Sequence, residues 1–210
     1  MTSASETPAA ATETTSTTAG TTDTMATTAT QAQETSMPQY ENKVAELHTT
    51  AGEIHIRFFP DVAPNHVKNF IDLAQSGFYD NTKFHRIIEG FMIQGGDPNT
   101  VSGDPYTWGT GGSPNRIKAE FNSIPHRRGI VSMARSNDPN SASSQFFIVV
   151  ADSNFLDNNY TVFGQVTKGM DVADKIVTAP KRGERPAEPV AITKIVIRDA
   201  KDDEKGPAPK

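Results

Sequence analysis

The stretch 84–97, Phe-His-Arg-Ile-Ile-Glu-Gly-Phe-Met-Ile-Gln-Gly-Gly-Asp, restricts the fold more than any other part of the chain. Phe84, Arg86 and Ile88 alternate with His85 and Ile87. The pattern breaks at Gly90, resumes at Phe91, Met92 and Ile93, and stops at Gly95 and Gly96. Alternation with period two belongs to a strand, and glycine at the break supplies the backbone freedom of a tight turn or bulge. Two short strands joined as a hairpin are expected. That hairpin can bring the long polar side chains of Arg86 and Gln94 onto one surface, beside Phe91 and Met92.

Similar runs lie on both sides. The segment from Lys43 to Phe58 reads as strand, Gly52 turn and second strand, with Ile54 and Ile56 inward and His55 and Arg57 outward, which makes His55 a surface histidine. In 64–76, Val67, Phe70, Ile71 and Ala74 recur at helical spacing between Pro64 and Gly77, predicting an amphipathic helix. Residues 97–119 form a long loop by composition, with Trp108 as a lid over apolar surface. Its Gly109-Thr-Gly-Gly112 run lacks the Gly-Lys-Ser/Thr ending and the following helix that a phosphate loop needs. Strands are expected at 129–133, 145–150, 161–166 and 190–197, and a second short helix at 170–177. Many short strands and two helices indicate an all-β barrel rather than a parallel sheet.

Composition sets the domain limits. Residues 1–39 contain no Phe, Trp, Leu, Ile or Val, so this Thr/Ser-rich leader cannot bury enough apolar surface to offset its conformational entropy, and it is expected to be a disordered linker. One domain is expected over 40–200 and a frayed, charged tail over 201–210. The formal charge is −5, and Glu6, Glu13, Asp23 and Glu34 account for four of those charges with no compensating Lys or Arg in the leader. The remainder is nearly neutral, which excludes a general nucleic-acid binder. The Lys181-Arg-Gly-Glu-Arg185 run is read as a solvated loop. There are no cysteines, hence no disulfide or thiolate metal site, and His48, His66 and His126 show no ligand spacing with carboxylates. No apolar run approaches the ~20 residues of a membrane span. A Thr/Ser-rich leader is what a tethered exported protein often carries between anchor and domain, so an extracytoplasmic location is expected over a cytoplasmic one.

Three ordered blocks carry a family resemblance: 84–97, then Gly129-Ile-Val-Ser-Met-Ala-Arg-Ser with Ser143-Ser-Gln-Phe-Phe-Ile, then Phe155-Leu-Asp with Thr161-Val-Phe-Gly-Gln-Val. Together they resemble the signatures of the cyclophilins, peptidyl-prolyl cis-trans isomerases, over roughly residues 43–199. The Met-Ala-Arg run, with Phe155 and Tyr160, is more similar to bacterial single-domain members. The resemblance implies a closed eight-stranded antiparallel β-barrel capped by two α-helices. It implies a cofactor-free isomerase acting on proline-containing polypeptides and unfolded clients, as a monomer. Arg86 matches the catalytic arginine, and Gln94 the glutamine that orients it. Phe91, Met92, Phe147 and Leu156 match the proline pocket, while Ala134, Ser141 and Gln145 match the neighbouring pocket for the residue before Xaa–Pro. Three positions depart from the common pattern: Arg135 stands where Asn is frequent, Phe155 where a rim Trp is frequent, and Tyr160 where a pocket His is frequent. Loss of the indole N–H at Phe155 implies an active enzyme with weakened cyclosporin binding. Two rivals are a barrel that only captures Pro-containing segments and a hollow small-ligand barrel. Joint retention of Arg86, Gln94 and Phe147 disfavours the first, and strands rich in Phe and Ile, which fill a barrel, disfavour the second.

Overall fold

A computed structural model describes residues 40–206 together with 208 and 209, so the expectation for the leader lies outside the described residues. The chain begins with β1 (Lys43–Thr49) and β2 (Gly52–Phe58), then α1 (Pro64–Gln75). The 84–97 hairpin follows as β3 (Arg86–Ile88) and β4 (Met92–Gly95), with Gly90 at φ 73° between them, a conformation that favours glycine. The long loop holds one helical turn, α2 (Asn99–Ser102), and then come β5 (Ile130–Met133), β6 (Phe146–Val149) and β7 (Val162–Lys168). The last elements are α3 (Met170–Val177), the two-residue strands β8 (Lys181–Arg182) and β9 (Arg185–Pro186), and β10 (Ile192–Asp199).

Eight strands form one antiparallel sheet in the order β10-β1-β2-β7-β5-β6-β4-β3, and β8 pairs only with β9. The expected closed barrel with two helices is corrected in two respects. The sheet is curled but its ladder is open between β3 and β10. Among the described residues, that seam is spanned by an isolated bridge, Lys83 to Ala191, and by backbone bonds such as Phe84 N–H to Val190 O (3.0 Å). The described residues also contain three α-helices. β3 has just three residues before the chain turns at Gly90, which is too short to build a ladder along β10.

Alternation explains why β6 is buried at all four positions. Phe146 and Ile148 face the main core, where Phe70, Tyr79, Phe84, Phe146 and Phe163 pack their rings and fill the interior. A hollow ligand barrel is therefore not what these residues build. Phe147 and Val149 face the other way, into a second cluster with Met92, Leu156 and Val162. Sheet curvature requires close approach at Gly164, where a Cβ would lie 2.6 Å from the Arg57 carbonyl oxygen.

Two further expectations fail. Ile54 and Ile56 point inward, but His55 is 5% exposed rather than a surface histidine. The tail covers it: Asp202–Glu204 forms a 3₁₀ turn instead of fraying at 201, and Glu204 is buried against His55 and Arg198. Arg198 donates from Nη1 and Nη2 to Glu204 (2.6 and 2.8 Å) and from Nε to Glu46, fastening the tail to β1. These bonds hold the Glu204 carboxyl down at about 2; the Arg198 bonds contribute most, burial opposes them, and the Lys201 amide and His55 assist.

Candidate active site

The β3–β4 register sets Arg86 directly opposite Gln94, and the β4–β6 register sets Gln94 opposite Phe147. Arg86 Nη1 donates to Gln94 Oε1 (3.3 Å), and Arg86 Nε donates to Glu184 Oε2 (2.5 Å). Gln94 Nε2 in turn donates to Gln145 Oε1 (2.8 Å), whose own amide donates to the carbonyls of Gly109 (3.0 Å) and Gly111 (2.7 Å). A relay of side-chain amides therefore runs from the 97–112 loop to the guanidinium and fixes its orientation. Arg86 Nη2 has no protein partner among the described residues, and the side chain is 38% exposed, so one face of the fork is open to a ligand.

That open face borders an apolar slot of about 470 Å³ lined by Arg86, Gln94 and the second cluster's Phe91, Met92, Phe147 and Leu156, with Ala134, Arg135, Phe155 and Tyr160 completing the rim. A second hollow of about 410 Å³ adjoins it across Gln94, and here Ala134, Arg135, Ser141 and Gln145 meet Arg116 and the loop glycines. The structure thus distributes all twelve residues singled out in the sequence between two contiguous hollows. Phe155 is 71% exposed and leans on Phe91 at 5.2 Å between ring centroids. Tyr160 stands edge-on to Phe147 (5.8 Å) as a wall of the slot, and the Arg135 guanidinium covers its outer face at 4.7 Å. Arg135 is itself tied by Nε and Nη2 to the Asn159 carbonyl (3.0 and 2.9 Å).

Behind Phe147 lies a constellation that resembles a hydrolytic triad. His126 Nδ1 meets Asp157 Oδ1 at 2.9 Å, and His126 Nε2 meets Ser132 Oγ at 3.1 Å. The hydroxyl cannot attack a substrate. Ser132 is fully buried, and its Oγ also lies 2.8 Å from the Thr161 carbonyl, which competes for its single proton. Burial is the main influence on the imidazole and lowers its pKa, against an upward pull from Asp157. His126 stacks on Phe147 with centroids 6.3 Å apart, so the network's role here is to back the slot wall. His85, next to Arg86, is likewise buried, with neither ring nitrogen partnered among the described residues, and desolvation lowers its pKa.

Sequence reasoning missed the far side of Arg86. The run 181–185, expected to be a solvated loop, is the β8–β9 hairpin, and its Glu184 carbonyl accepts from the Ile87 amide (2.7 Å) while its carboxylate takes Arg86 Nε. Trp108 is not a lid over apolar surface: Lys83 Nζ lies 5.3 Å, and the Arg185 guanidinium 5.5 Å, from its ring centroid, and its indole N–H donates to Gly103 O (3.2 Å). Ninety-eight residues separate Arg86 from Glu184, and no local pattern marks that pairing. Among the described residues, no cluster of His, Cys, Asp and Glu has the grouping of a metal site, and no helix is long and apolar enough to cross a membrane.

Comparison with known proteins bears on this geometry. The family model for "Cyclophilin type peptidyl-prolyl cis-trans isomerase/CLD" matches residues 44–197. The peptidyl-prolyl cis-trans isomerase A of Dickeya dadantii is 45% identical over 160 residues, which cover 74% of this chain and 82% of that protein. A peptidyl-prolyl cis-trans isomerase of Acinetobacter baylyi is 41% identical over 167 residues, covering 75% and 86%. Among solved structures, a cyclophilin-type isomerase of Cryptosporidium parvum, determined in the presence of the dipeptide Ala-Pro, is similar with a TM-score of 0.68 at 32% identity, over 74% of this chain and 99% of that one.

Proposed function

The chain belongs to the cyclophilin-type peptidyl-prolyl cis-trans isomerases, and from that premise we propose that it turns Xaa–Pro bonds by an arginine-assisted, non-covalent mechanism and thereby speeds proline-limited folding. Rotation of the peptide bond loses amide resonance, a barrier of ~18–20 kcal/mol. No nucleophile or proton transfer is required. A catalyst needs to hold the proline ring, hold the chain on either side, and stabilise the twisted state more than the planar one.

The observation that carries this reading is the open Nη2 face of Arg86 at the mouth of an apolar slot. In the twisted amide the prolyl nitrogen becomes pyramidal and recovers its lone pair, and a guanidinium N–H directed at that lone pair stabilises only this state. Phe147, Met92, Phe91 and Leu156 suit the proline ring, and Gln94 offers amide groups to the flanking chain while steering the guanidinium. Loss of one charged donor to a transition state lowers turnover roughly 10²–10³-fold. Cis–trans exchange of a Xaa–Pro peptide, followed by exchange NMR, is therefore expected to fall by that factor in Arg86→Ala and to recover little in Arg86→Lys, which lacks the fork. If the wild type binds peptide yet leaves exchange at the uncatalysed rate, the domain is a capture module and this mechanism is wrong.

Two narrower readings accompany it. Phe155 offers no N–H, which supports weakened cyclosporin binding, and low-nanomolar inhibition would overturn that. The composition of the leader supports a tethered, extracytoplasmic location, which fractionation of the source cells tests.

A further inference from the structure

The β8–β9 hairpin and the 97–112 loop together line a cleft of about 1150 Å³ that adjoins the proline slot, sharing Arg86, Gln94 and Arg135 with it. Its lining carries four guanidiniums, those of Arg86, Arg135, Arg182 and Arg185, against one carboxylate, that of Glu184. Glu184 is already engaged by Arg86 Nε. Arg135, Arg182 and Arg185 have no carboxylate partner among the described residues, although seven other Lys and Arg side chains of the domain pair with Asp or Glu within 3.6 Å. Lys83 adds a fifth cation, since it and Arg185 both approach the Trp108 ring. Tyr106, 90% exposed, stands at the same cleft. A chain of formal charge −5 thus concentrates positive potential beside its proposed reacting centre.

We propose that this cleft selects clients by charge, favouring Xaa–Pro segments with an Asp or Glu side chain within a few residues of the proline. The inference rests on the reading of the Arg86 slot as the proline site. An extended chain advances about 3.3 Å per residue, so a client seated in the slot carries side chains two or three residues away into the cleft. There the planar forks of Arg182 and Arg185 match a carboxylate, and the exposed ring of Tyr106 presents flat surface to its methylene stem. Glu184 is anchored through its backbone to Ile87 and neutralises the near side of Arg86. A client carboxylate therefore meets Arg182 and Arg185 and leaves the Arg86–Glu184 pair in place.

The test uses the full chain and paired Ala–Pro peptides, identical except for Glu or Gln, with the variable residue placed at each of the two positions beyond the Ala–Pro unit on either side. At low salt, exchange NMR is expected to give a kcat/KM for Glu over Gln of roughly three- to tenfold at one or more positions, mainly through KM. The ratio is expected to approach one at 0.5 M NaCl, where screening reaches a few ångströms, and also in Arg182→Gln and in Arg182→Gln/Arg185→Gln. The single variant leaves the Trp108 stack untouched, so a fold disturbed by loss of Arg185 does not obscure the answer. A Glu/Gln ratio of one or below at every position overturns the proposal, and so does a preference that survives both salt and the variants. Turnover of the Gln peptides reports on the proline-site reading itself: turnover without acid preference removes this inference alone, whereas no turnover of any peptide removes the reading beneath it.

Discussion

Glu204→Gln isolates the tail clasp, and its cost can be worked from the geometry. Glu204 accepts two bonds from Arg198 (2.6 and 2.8 Å) and one from the Lys201 amide (3.0 Å), lies 3.3 Å from His55 Nδ1, and its side chain is 8% exposed. A carboxyl moved from 4.5 to about 2 corresponds to roughly 3 kcal/mol of folded-state preference for the charged form. The amide keeps some of the hydrogen bonds and Arg198 keeps Glu46, so the expected loss at pH 7 is about 2 kcal/mol. For a domain of this size that is a fall in Tm of about 4–8 °C. Because the folded pKa lies below the unfolded one, the unfolded chain takes up the proton first as pH falls. The contribution is therefore complete above about pH 5, half gone near pH 3, and lost below the folded value. Urea melts of wild type and variant at pH 7 and pH 3, with turnover at 25 °C as a control, measure both features. Equal midpoints at pH 7, or a gap that stays constant between the two pH values, would refute the clasp. Both clasp partners, Arg198 and Glu204, lie beyond the residues 44–197 that the family model matches.

Three other substitutions have defined expectations. Glu184→Gln breaks an ion pair whose side chains are 38% and 55% exposed, a class worth ~0.2–1 kcal/mol, so turnover of an uncharged peptide should drop by less than about fivefold; a hundredfold loss would mean that Glu184 does more than hold Arg86. Phe155→Trp places an indole N–H on the exposed rim and should tighten cyclosporin binding by about tenfold, the worth of one hydrogen bond, as read by inhibitor titration. Gly164→Ala drives a Cβ to 2.6 Å from the Arg57 carbonyl in the β2–β7 ladder. That contact is with backbone, which cannot swing aside, so unfolding free energy should fall by about 2 kcal/mol or more with no change in the intrinsic properties of the slot.

The parts of the site that were legible in the sequence are those built by short-range rules. Alternation around Gly90 marked a hairpin that can bring Arg86 and Gln94 onto one surface, and the observed register sets them directly opposite. Helical spacing between Pro64 and Gly77 gave α1 to within one residue. What stayed hidden depends on partners brought from far along the chain. His55 follows the alternation and points out of the core, yet it is covered by a tail 149 residues away. Trp108 and Glu184 acquire their roles only when the loop and the β8–β9 hairpin converge on β3. The absent ladder between β3 and β10 follows from strand length, which the apolar pattern marks poorly at the ends.

The pairing of β1 with β10 governs how this molecule can be made. β1 needs the closing strand beside it, with Lys43 opposite Asp199, so a ribosome must deliver nearly the whole domain before its first strand is flanked on both sides. Such late, sequence-distant pairing slows folding. At synthesis rates of roughly 5–20 residues per second, the nascent chain spends about eight to thirty seconds with one side of β1 unpaired. The chain also contains 14 prolines, and an X–Pro bond in the wrong isomer corrects itself over tens to hundreds of seconds. Both delays fall on the same nascent chain, and the slower of the two is set by the kind of bond that peptidyl-prolyl isomerases turn.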